Sequence, residues 1–125
     1  MTGVEVALGL EPRVLGAWVE VCPLDRLTPD RGVCALVEGR QVAVFRMGDG
    51  AVHAVDNIDP CSGAAVLSRG IVGDAGGAAT IASPLYKQRF ELLTGRCLDA
   101  DVPPLDVHAT AVVDGVVLVR LASAP

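Results

Sequence analysis

The chain is 125 residues long, 51% hydrophobic and 20% charged, which suits one domain with a buried core and excludes a disordered segment. Ten Lys and Arg against fifteen Asp and Glu give a formal net charge of −5, the wrong sign for gripping phosphate backbones, so no nucleic-acid partner is expected. Fourteen Gly and eight Pro disfavour a helical bundle and suit short strands joined by turns.

The amino-terminal stretch MTGVEVALGLEPRVLGAW is interrupted by Glu5 and Glu11 and lacks the basic start and continuous apolar run of a signal peptide. No later run approaches the roughly 20 apolar residues needed to span a bilayer. The chain therefore reads as cytoplasmic, without membrane contact, and its four cysteines as free thiols.

From Ala17 to Cys22 apolar and polar residues alternate with period two, which predicts a strand. Thr28-Pro29-Asp30 has a hydroxyl cap followed by proline, and predicts a short helical turn. Val33–Arg46 is two apolar runs about Glu38-Gly39, a hairpin, and Ala51–Asp56 adds a third antiparallel strand after the Gly48–Gly50 turn. The segment 57–78 shows little periodicity and reads as loop, with one short buried stretch at Ala65–Leu67. Ala79–Ser83 and Arg89–Leu93 resume as strands around a loop at 83–88. A loop around Asp101–Pro104 follows, and Val107–Leu121 closes the chain as a hairpin about Asp114-Gly115. Trp18 and Phe90, two of only four aromatic residues, are assigned to the core. The result is an all-β fold, a small sandwich or barrel of short antiparallel strands with two protruding loops. It forms a single domain over 1–125, with its core at about 15–122 and less ordered termini.

Cys22, Cys34, Cys61 and Cys97 are separated by 12, 27 and 36 positions, so no paired-ligand zinc motif exists. His53 and His108 lie in strand patterns away from any recognisable nucleophile motif, and both read as structural. Gly73-Asp74-Ala75-Gly76-Gly77 lacks the spacing of a dinucleotide fingerprint.

The two loops together resemble those of a Rieske-type domain, which carries C-x-H-x-G-A-x-L-x-x-G in the first loop and C-P-x-H-G-x-x-F-x-L-x-T-G in the second. Here the first reads Asp59-Pro60-Cys61-Ser62-Gly63-Ala64 with Leu67 and Gly70 behind. The second reads Ser83-Pro84-Leu85-Tyr86-Lys87-Gln88-Arg89-Phe90, then Leu92, Thr94 and Gly95. Asp59 and Ser83 stand where the cysteine ligands would be, and Cys61 and Tyr86 where the histidines would be. Hard oxygen donors suit a sulfide-bridged iron pair poorly, so the chain is expected to bind no cluster and to have no catalytic or cofactor-binding residue of its own.

Asp56–Asp74 and Ala82–Asp99 are similar to the two signature stretches of the small subunit of the assimilatory NAD(P)H-dependent nitrite reductase, a Rieske-like family without the cluster ligands. Cys61 departs from that family, which has an aromatic residue there. The resemblance implies a large-subunit partner that carries FAD, a [4Fe–4S] cluster and sirohaem and reduces nitrite to ammonium in nitrate assimilation. It implies a non-catalytic, docking role for this chain; separately, an exposed apolar docking face would allow a homodimer when the chain is isolated. The rivals are a Rieske [2Fe–2S] ferredoxin-type electron carrier and a Rieske-like interaction module of another oxidoreductase. Asp56, Asn57, Asp59, Ser62, Arg69, Tyr86, Lys87, Gln88 and Arg89 are expected to converge as a polar partner-binding patch. The Tyr86 hydroxyl is expected to hydrogen-bond Asp59 or Ser83, and Cys61 to be a small loop residue rather than a redox sensor.

Overall fold

The computed structural model of the chain describes residues 14–15 and 17–122. Most of the amino-terminal stretch that lacks the pattern of a signal peptide, and the termini expected to be less ordered, lie outside those residues. The described residues contain strands Val14–Leu15 (β1), Trp18–Pro23 (β2), Arg31–Val37 (β3), Arg40–Arg46 (β4), Val52–Asp56 (β5), Ile71–Ala75 (β6), Ala78–Ala82 (β7), Arg89–Glu91 (β8), Val107–Val113 (β9) and Val116–Arg120 (β10). All strand pairings are antiparallel. Seven strands form one sheet in the order β1-β2-β10-β9-β5-β4-β3, and β6-β7-β8 form a second. The larger sheet curls until β2 and β3 line one shallow groove. The all-β architecture is therefore as the turn and strand patterns indicate.

Two hairpins follow directly from their turn residues. Glu38 and Gly39 have φ of 48° and 84°, and Asp114 and Gly115 have 52° and 76°; two successive positive angles make the turn whose twist matches the flanking strands.

β4 explains how one short strand organises two cores. Val42 and Val44 face a cluster with Val19, Leu27, Val37, Ala54, Val117 and Val119, inside the curl. Ala43 and Phe45 face the opposite way, into a cluster with Val55, Leu67, Ile81, Phe90 and Leu92 that joins the two sheets. All four β4 residues are fully buried, which is why VAVF is a continuous apolar run rather than an alternating one.

Three expectations are corrected. The 3₁₀ turn lies at Leu24–Arg26, closed by Leu27 N–H to Leu24 O at 3.0 Å, and not at Thr28–Asp30. Pro29 instead bridges Arg46, and Asp30 accepts from Gly48 N at 2.9 Å. Within 57–78, Ile71–Ala75 is a strand, paired to β7 along its whole length. It is an edge strand, so it buries too little to show an alternating pattern. Trp18 is half-buried with the Arg120 guanidinium 4.8 Å from its ring centroid, a cation–π contact at the sheet surface rather than a core residue. Phe90 is fully buried.

Candidate functional site

The two irregular segments, residues 57–70 and 83–88, are tied together at one buried carboxylate. Asp59 Oδ2 accepts from Ser83 Oγ at 2.6 Å, while Asp59 Oδ1 accepts from Gln88 Nε2 at 2.9 Å and from Cys61 N at 2.8 Å. Asp59, Ser83 and Gln88 are all buried. Burial alone would raise the Asp59 pKa; the hydrogen bonds from Ser83, Cys61 N, Gln88 and Ser62 outweigh it and hold the carboxyl below the usual range. An ionised carboxylate thus cross-links the loops.

Each loop is also closed on itself. Asp59 O accepts from Gly63 N at 2.7 Å and Ala64 O from Asp59 N at 2.8 Å. In the second loop, Ser83 O accepts from Lys87 N and Gln88 O from Ser83 N, both at 3.0 Å, with Lys87 at φ 63°. Ser83 Oγ, having donated to Asp59, accepts from Leu85 N at 3.3 Å. Leu67, fully buried at the start of the Leu67–Arg69 3₁₀ turn, anchors the first loop to the core.

The residues expected to form one polar patch fall into two groups. Ser62, Arg69, Tyr86 and Lys87 are exposed. Asn57 is buried, its Oδ1 accepting from Ser68 N at 2.7 Å and its Nδ2 donating to Gln41 Oε1 at 3.2 Å. Asp56 is taken up by Arg40, at 2.8 and 3.0 Å, and by His108 Nε2 at 2.8 Å. His108 Nδ1 accepts from Ala122 N at 3.0 Å, which leaves Nε2–H to donate the hydrogen bond that Asp56 accepts. Arg89 is exposed but held by Asp99 through Nε at 2.9 Å and Nη2 at 2.8 Å, which draws the Asp99 pKa down to about 2. Gln88 turns inward, and its Oε1 is buried with no hydrogen-bond partner among the described residues.

The Tyr86 expectation is overturned. Its side chain is 65% exposed and makes no hydrogen bond to Asp59 or Ser83; Gln88, two residues on, fills that role. Nothing in the sequence separates the two, because a loop has no periodicity from which to read which side chain points inward. His53 is half-buried on β5 opposite Phe45, and desolvation lowers its pKa.

These residues do not fit an iron–sulfur cluster. Two oxygen side chains bonded to each other stand where thiolates would be needed, and the Cys61 thiol is exposed on the loop surface. Desolvation and the Asp59 charge push that thiol up, away from the thiolate a metal requires. Among the described residues no group of three or more His, Cys, Asp or Glu side chains is placed to hold a metal ion. Both carboxylate oxygens of Asp59 are thus engaged by groups of the two loops.

A family model described as a Rieske-like [2Fe-2S] domain matches residues 17–120. The chain is 42% identical over 107 residues to the nitrite reductase (NADH) small subunit of Salmonella typhimurium, covering 85% of this chain and 99% of that one. The chain belongs to the nitrite reductase small subunit family. A crystal structure assigned to the NADH-dependent nitrite reductase small subunit of Mycobacterium tuberculosis is 50% identical, with a TM-score of 0.80 over 85% of this chain and 96% of that one. The nitrite reductase [NAD(P)H] large subunit of Klebsiella oxytoca is 50% identical over 82 residues, 66% of this chain and 8% of that protein. In that relative a stretch homologous to this small-subunit family lies within the large-subunit chain itself. No helix among the described residues is long and apolar enough to cross a membrane.

Proposed function

We propose that the chain is the non-catalytic small subunit of a cytoplasmic NAD(P)H-dependent nitrite reductase, seated on a large subunit that carries the flavin, [4Fe–4S] cluster and sirohaem. The observation that carries this reading is the stretch of Klebsiella large subunit 50% identical to it, which makes direct association the natural arrangement of the two parts. The Asp59–Ser83–Gln88 network supports a structural role, since it holds the loops without any group that could accept an electron. Its partner contacts come from the two-loop region in which Asp56, Asn57, Ser62, Arg69, Tyr86, Lys87, Gln88 and Arg89 lie. When isolated, the chain pairs with a second copy through apolar side chains left uncovered.

Co-expression with a tagged large subunit tests this. Stoichiometric co-purification is expected, with iron and acid-labile sulfide found in the complex and absent from the separately purified small chain. A small chain that carries about two irons, or fails to associate with the large subunit, overturns the reading.

A further inference from the structure

The loop end exposes several large apolar side chains. Leu85 is 50% exposed and Tyr86 65%, and Ile58 is 40% exposed on the adjoining loop. The Asp59–Ser83 bond brings the two loops together at the residues that precede Pro60-Cys61 on one and Leu85-Tyr86 on the other. Ile58 and Pro60 also line a hollow of about 220 Å³ against Pro104 and Leu105, so a projecting tip adjoins a notch.

Two of the arginines near this tip are paired within the molecule. Arg89 is paired with Asp99, and Arg40 with Asp56 and Asp106. Lys87 Nζ folds back to Pro84 O at 3.3 Å. An apolar centre inside a polar rim is the anatomy of a protein interface, with aromatic and aliphatic anchors surrounded by groups that exclude water. Preorganisation points the same way. The buried Asp59 linkage and the internal backbone bonds of each loop fix the tip before any partner arrives, which removes much of the ordering cost of association.

We propose that this tip, anchored by Leu85 and Tyr86, inserts into an apolar recess of the large subunit and is the main seat of the complex. The proposal rests on the small-subunit reading above. It commits to the large subunit because the same kind of domain is built into that protein in the Klebsiella relative. Association through such a surface depends little on ionic strength, unlike one steered by charge.

The test uses the full chain co-expressed with the tagged large subunit, as wild type, Leu85→Asp, Tyr86→Ser and Val113→Asp. Val113 is an exposed apolar control at the far end of β9 from the loops. Circular dichroism establishes that each variant is folded, and Tyr86→Ser alters a side chain too exposed to matter for folding. Both tip variants are expected to lose association by about tenfold or more while Val113→Asp retains it. Wild-type binding is expected to stay within about threefold between 0.1 and 0.5 M salt. Tip variants that bind like wild type, tip variants that lose only self-association, or binding that collapses with salt overturn this docking face while leaving the small-subunit reading intact. A wild-type chain that does not bind at all overturns that reading instead.

Discussion

Asp59 is the residue on which the two-loop end depends. Replacing it by Ala removes the acceptor for Ser83, Gln88 and the Cys61 amide together, and leaves buried donors unpaired. A loss of about 3 kcal/mol is expected in urea denaturation. The pH dependence has a definite sign. Because the folded-state pKa is depressed, the stabilisation from Asp59 is complete above the pKa of the unfolded carboxyl, about 4, and is lost as pH falls through the lower folded value. Thermal unfolding followed from about pH 6 down to pH 2 is therefore expected to show a fall in Tm below about pH 4, and a shallower fall in Asp59→Asn. The vacated ligand positions were legible in the sequence because loop spacing is preserved around them. What filled them was not. Gln88 and Tyr86 are both plausible donors in one dimension, and only the left-handed backbone at Lys87 and the ring closure from Ser83 to Gln88 decide which one turns in.

At the scale of elements, the hairpins were readable because their turns demand particular residues, Glu38-Gly39 and Asp114-Gly115. β6 was hidden because an exposed edge strand containing Gly73 and Asp74 offers no apolar face to detect. The packing of the first loop on β3 was equally hidden. A Cβ added at Gly32 would stand 2.5 Å from Phe45 Cε1 and 2.6 Å from the backbone oxygen of Ser68, so the glycine sets how closely the 3₁₀ turn approaches the strand. Gly32→Ala is expected to destabilise the fold by about 1–3 kcal/mol, read as a lower urea midpoint with an unchanged slope. An alanine variant as stable as wild type would mean that the turn can move away freely. The effect belongs to the contact between elements, since β3 as such would accept alanine.

For the whole molecule, a family with a Rieske-like framework here keeps the loops and replaces the donor set by oxygen and amide groups that hydrogen-bond to Asp59. On the small-subunit reading proposed above, the contribution of this end of the molecule to the complex is one of form. Because β4 supplies alternate residues to both cores, the loop end and the curled sheet have no seam along which one could melt and the other survive. Cooperativity is the consequence. Amide hydrogen exchange is expected to find the slowest protons on Val42–Phe45, with the tip and the sheet opening in a single transition of equal free energy. Loops that are tied to the deepest strand in this way keep their shape for as long as the protein is folded at all.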